Sequence, residues 1–178
     1  VALCSGSKKK AATILDLGPK QLDLIDLNAQ LATAPTAPAI EIYTGVLYDA
    51  LDFSTLPAAA KKRASTRVAI SSALFGLLRP GDLIPQYRLS ADTTIPGLGP
   101  LAAVWRDSVQ AELRATTGPI LDVRSGAYVK LGPLPAETAD RAFVGRILLE
   151  KAGKRSVVSH YNKATKGLLV REILGASK

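Results

Sequence analysis

The sequence predicts a mixed α/β fold on three observations. Several segments repeat apolar residues at helical spacing, most clearly Pro100–Ala115, where Leu101, Val104, Trp105, Val109 and Leu113 share a face. Between such segments lie short apolar runs closed by Gly and Pro, such as Pro119–Arg124 (PILDVR), which read as strands. Near the end, Arg141–Glu150 and Arg155–Tyr161 read as two strands around a Lys151–Lys154 hairpin turn. With 178 residues, 47% of them hydrophobic, the chain suits one domain, 1–178, with a sizeable core.

Taken in order, Val1–Lys10 reads as irregular, with a basic run at Lys8–Lys10. Ala11–Leu17 supplies a turn or two of helix, stopped by Gly18-Pro19, and Lys20–Leu31 a second helix through Leu22, Ile25 and Leu31. Thr33–Pro38 (TAPTAP) is a proline-rich connector. Ile40–Leu51 and the Ala-rich Pro57–Ser65 read as helices, and Arg67–Ser71 as a buried strand. Val68–Leu78 is the most hydrophobic stretch and belongs in the core. Arg79-Pro80-Gly81-Asp82 ends it in a sharp turn, because a residue before proline avoids the α region and Gly tolerates most backbone angles. Ile84-Pro85 hinges the chain again before Gln86-Tyr87-Arg88. Ala91–Pro100 is irregular; Tyr128 and Lys130 fall just past the Pro119–Arg124 strand; Leu131–Asp140 is a linker. Asn162–Ala176 is a final helix with Asn162 as its cap. Lys163 and Lys166 sit in its first turns, against the helix dipole, a placement an anionic ligand would relieve.

Charge is placed unevenly. The net charge is +8, and residues 141–178 hold nine Lys or Arg against two acids, for +7. Such asymmetry suits a polyanion: nucleic acid, a phosphate ligand or an acidic membrane surface; a merely soluble basic face is the plain alternative. The longest apolar runs are well short of the roughly 18–20 residues a membrane span needs, so the chain reads as soluble, without a membrane partner. One cysteine, Cys4, and one histidine, His160, exclude disulfide frameworks and Cys- or His-cluster metal sites. The nearest match to a P-loop, Gly153-Lys154-Arg155-Ser156, has Leu148 where the first Gly must stand. No GxSxG elbow, HExxH or dinucleotide GxGxxG occurs, so no cofactor, metal or catalytic residue is assigned.

Three segments together resemble the YaaA family of bacterial peroxide-stress proteins. They are Leu74–Leu89 (LFGLLRPGDLIPQYRL), Asp122–Tyr128 (DVRSGAY) and Val158–Gly167 (VSHYNKATKG). The resemblance runs from about Leu15 to the end. It implies a cytoplasmic protein that protects against hydrogen peroxide and binds DNA, duplex or branched, through a positively charged cleft. It further implies a curved mixed sheet with packed helices and a helix-hairpin-helix-like element, placed here at Ala11–Leu31. The family's opening strand and its Pro-Ser/Ala-x-Glu/Lys-Lys segment are not found in the sequence.

The expected DNA-contacting set is Arg79, Tyr87, Arg88, Arg124, Tyr128, Lys130, His160, Lys163, Lys166 and Arg171, with Asp82 supporting Arg79 or Arg88. The cations would meet phosphates, and Tyr87, Tyr128 and Tyr161 would pack on sugars or exposed bases. The alternatives are an enzyme acting on a nucleic-acid or phosphate-bearing substrate, with Asp82, His160 and the arginines at its site, and an iron-handling protein. A monomer without catalytic turnover is the leading expectation.

Overall fold

In the computed structural model, residues 1–151, 154–157 and 161–176 are described. Helix α1 (Lys8–Ile14) begins where the Ser7 hydroxyl accepts the Lys10 N–H at 3.4 Å. It ends at Asp16, whose φ of 52° turns the chain back. A 3₁₀ turn at Pro19–Gln21 leads into α2 (Asp23–Ala29), so the predicted second helix starts a turn later than its apolar pattern suggests. Cys4, Ala11, Leu15 and Ile25 close a small core between these helices.

The TAPTAP connector is partly a strand. Strand β1 (Thr36–Pro38) pairs antiparallel with β4 (Leu83–Pro85). Proline is tolerated because these strands have only one neighbour each, so a missing N–H breaks no second ladder. The helix predicted over Ile40–Leu51 is two, α3 (Ala39–Ile42) and α4 (Val46–Leu51), divided at Gly45, whose φ is 108°. Helix α5 (Ala58–Arg67) extends two residues past its predicted end. It therefore takes Arg67 from the predicted strand, which starts only at β2 (Ile70–Ser72) and turns into β3 (Gly76–Leu78).

The short β5 (Thr94–Ile95) and β6 (Gly99–Pro100) precede α6 (Leu101–Ala115), the helix the sequence marks best. Strand β7 (Ile120–Asp122) pairs in parallel with β8 (Ala142–Val144). Between them the segment predicted as a loop is helix α7 (Gly126–Lys130). The single strand expected over Arg141–Glu150 is divided into β8 and β9 (Leu148–Lys151), and β9 pairs with β10 (Lys154–Val157) as the expected hairpin. Helix α8 (Tyr161–Gly175) closes the described chain. Asn162 lies inside it, so it is not the cap.

The mixed α/β class is as expected. The strands, none longer than four residues, make five two-stranded ladders, four antiparallel and one parallel, among the described residues. The main core gathers Ile40, Leu51, Leu56, Ile70, Leu78, Ile84 and Leu174, so α8 shares one core with α4, α5 and the first ladders. No described helix is long and apolar enough to cross a membrane.

Helix α8 approaches α4 at a glycine. A Cβ on Gly167 would stand 2.2 Å from the Leu47 carbonyl oxygen and 3.0 Å from the Leu51 nitrogen. Those are backbone atoms, which cannot rotate aside. Gly167→Ala should therefore cost about 1–3 kcal/mol, read as a lower midpoint in urea unfolding. Gly175→Ala, with open space around its Cβ, should be neutral or slightly stabilising. Equal midpoints for the two variants would mean that the helices do not meet there.

Candidate functional site

The Arg79–Asp82 turn is closed by one carboxylate. Asp82 Oδ2 accepts the Arg79 backbone N–H at 2.7 Å, and the Asp82 N–H donates to the Arg79 carbonyl at 3.1 Å. Asp82 thus orients the Arg79 main chain and leaves the guanidinium to other partners. That group is exposed, and its Nη1 reaches the carbonyls of Thr66 and Val68, each at 3.4 Å.

Across from this turn stands Arg124, just past β7. Its Nε and Nη2 donate to Asp122 at 2.9 and 2.7 Å, and its backbone N–H donates to the same carboxylate at 3.0 Å. Burial by itself would raise the Asp122 carboxyl. The bonds from Arg124, its charge and that of Lys166 outweigh burial and hold the carboxyl below the usual range. Lys166 of α8 is buried, and its Nζ donates to the Arg124 carbonyl at 3.4 Å. Two polar atoms here, Arg124 Nη1 and Asn162 Oδ1, are buried without a hydrogen-bond partner. Asn162 is one turn before Lys166 on α8, so both belong to one helix face.

These groups border a groove of about 410 Å³ between α6 and β7. Arg67, Arg79 and Arg124 line it together with Asp82 and Asp122, and its apolar lining includes Phe75, Trp105 and Val109. Trp105 is fixed by the bond from its Nε1 to the Ala73 carbonyl at 2.9 Å. Gly76, with φ 76°, lies under its ring, where a Cβ would come within 2.8 Å.

A second group is built on tyrosines. The Tyr87 hydroxyl is 2.7 Å from that of Tyr43 and 2.7 Å from Ser72 Oγ, which joins the β2–β3 ladder to the helices α3 and α4. Tyr43 stacks on Tyr48, and Phe75 meets Tyr87 edge-on. Burial raises the phenol of Tyr43, of Tyr48 and of Tyr128. Neutral hydroxyls therefore line this region at ordinary pH, able to give and accept hydrogen bonds. Tyr128 also feels Tyr87, which raises it further, and Arg88, which lowers it. Asn28 grips the Arg88 main chain at both ends: its Nδ2 donates to the Arg88 carbonyl at 2.7 Å, and its Oδ1 accepts the Arg88 N–H at 2.9 Å.

Of the residues expected from sequence, Arg79, Asp82 and Arg124 share the groove, and Lys166 adjoins Arg124. Tyr87, Arg88 and Tyr128 form the second group. Lys163 is exposed in the first turn of α8. Lys130 pairs with Asp92 at 3.3 Å. Arg171 donates to the carbonyls of Leu51 and Asp52 at 2.8 and 2.7 Å and to Thr55 Oγ1 at 2.8 Å, where it ties α8 to the end of α4. His160 and the Tyr161 side chain lie outside the described residues. Sequence reasoning did not single out Asn28, Ser72, Tyr43, Tyr48, Arg67 or Asp122. Asp122 alone carried a local signal, an acid two residues before an Arg at a strand end. Asn28 meets Arg88 across 60 positions of sequence and carried none.

A family model described as "Peroxide stress protein YaaA" matches residues 2–177. The chain is 46% identical over 176 residues to a UPF0246 protein of Streptomyces coelicolor, covering 98% of this chain and 67% of that protein. It is 39% identical over 173 residues to one of Corynebacterium glutamicum, covering 95% and 67%, and 41% identical over 169 residues to one of Corynebacterium efficiens, covering 93% and 66%. The chain thus spans about two thirds of the length of these relatives.

The Asp122 carboxyl has a lower pKa folded than unfolded. Its stabilisation is complete above about pH 4 and is lost as pH falls through the folded value. Asp122→Ala strands Arg124 in its buried place and should cost about 3–5 kcal/mol at neutral pH. Urea unfolding between neutral and acid pH should show wild-type stability falling faster than that of the variant. Parallel slopes would mean that another carboxylate governs the acid limb.

Proposed function

The chain belongs to the peroxide stress protein YaaA family, and on that premise we propose that it acts in the peroxide-stress response by binding DNA through a cationic cleft, largely without regard to sequence. The observation that carries this reading is the meeting of Arg67, Arg79 and Arg124, from three separate parts of the chain, on one groove. The nearby acids weaken it less than their number suggests. Asp82 is spent on a backbone amide of its own turn, and Asp122 on Arg124. Exposed Arg88 and Lys163 extend the positive surface, and the tyrosine hydroxyls offer bonds to phosphate or sugar. Phosphate contacts position a protein on nucleic acid and carry no base information, so discrimination between sequences is low.

Helices α1 and α2 with the turn between them are the element proposed to add helix-hairpin-helix-like backbone contacts. Lys9 and Lys10 are exposed there, while Lys8 is held by Asp26 at 2.6 Å. The reading places the protein with DNA in the cytoplasm and requires only one copy of it.

Salt dependence tests the proposal. Neutralising Z phosphates gives a slope of log affinity on log salt of about −0.9Z on duplex DNA. Arg79→Ala should shallow that slope by about one unit, measured by fluorescence anisotropy at several salt concentrations. Lys62→Ala, on an exposed part of α5, should leave it unchanged. An affinity that ignores salt removes the proposal.

A further inference from the structure

We infer that the groove between α6 and β7 receives one unstacked nucleobase, so that unpaired nucleotides are held differently from paired ones; this rests on the DNA-binding reading above. A volume of about 410 Å³ is that of a small-molecule site. It is too small for a duplex and sufficient for one base with part of its sugar. The lining is what a base requires. Phe75 and Trp105 offer aromatic surface, and Trp105 is already oriented by its bond to Ala73. Base–aromatic stacking is sequence-tolerant, since every base has a π face.

The polar lining matches a base edge, which carries both donors and acceptors. Arg67 and Arg79 donate, and Glu112 and Ser108 bring acceptor oxygens from α6. Glu112 would repel a phosphate, but its carboxylate can accept from an exocyclic amine. Phosphates flanking an inserted base fall to the arginines. Arg79 commits only Nη1, through two long bonds, and leaves Nε and Nη2 for a phosphate. Arg124 keeps Nη1 without a partner. A groove with arginines around an aromatic and apolar lining therefore suits a single nucleotide better than a continuous backbone.

Trp105 is the only tryptophan, so its emission reports on this groove directly. Two probes are titrated at low salt: a single-stranded thymidine hexamer, and a blunt hairpin with a non-nucleotide linker, so that no base is unpaired. The hexamer should quench Trp105 emission, and the hairpin should bind, by anisotropy, without quenching it. Ser108→Tyr fills the groove from an exposed helical position away from the core. It should abolish quenching, weaken hexamer binding by roughly 5- to 150-fold, the range that loss of one stacked base implies, and spare the hairpin. Circular dichroism confirms that the variant folds, and Ser108→Ala should retain quenching. Hexamer binding without quenching, or equal quenching in Ser108→Tyr, overturns the inference while the DNA-binding reading stands. Failure of both probes to bind removes that reading and the inference with it.

Discussion

A buried ion pair separated by a single residue holds the candidate site in place. Asp122 closes β7 and Arg124 leaves it, and their two side-chain bonds keep a guanidinium where burial would otherwise reject it. The turn this forms presents the Arg124 carbonyl to Lys166 and so couples α8 to the strand. Gly167, the next residue, lets α8 lie against the backbone of α4. The position of the ammonium is therefore set by a glycine contact on one side and a carboxylate on the other.

Charge available to a ligand is not the charge written in the sequence. The last part of the chain is the most basic, yet Arg171 is engaged by the end of α4 and Lys166 is buried. Arg67 and Arg79, from the less charged part, line the groove. A count of basic residues pointed to a polyanion but not to which arginines face solvent. That depends on which carbonyls each one meets, and those belong to residues far away in the chain.

The sequence made the helices most legible where apolar spacing was long, as in α6, and where one glycine pair stopped a segment, as after α1. It failed where a local signal lost to tertiary context. The 126–130 segment reads as a loop because Ser-Gly opens it, yet it closes into α7, with Ala127 and Tyr128 packed on the core around Leu131. TAPTAP reads as a connector because proline dominates it, yet β4 offers a partner strand. In the site, Arg79, Asp82 and Arg124 were legible from their turn and strand-end positions. The role of Asp82 was not, since a carboxylate's choice between a guanidinium and an amide is decided by turn geometry. The hydroxyl chain from Ser72 through Tyr87 to Tyr43 was not legible either, because no periodicity encodes a contact between a strand, a loop and a helix.

The small core around Ile25 has a chemical consequence. It encloses Cys4, and the chain contains no methionine. Oxidation of protein sulfur by hydrogen peroxide begins at an accessible thiolate or thioether, and this chain offers neither to solvent. Its own covalent structure is thus poorly suited to register the oxidant, and well suited to persist unmodified while the oxidant is present.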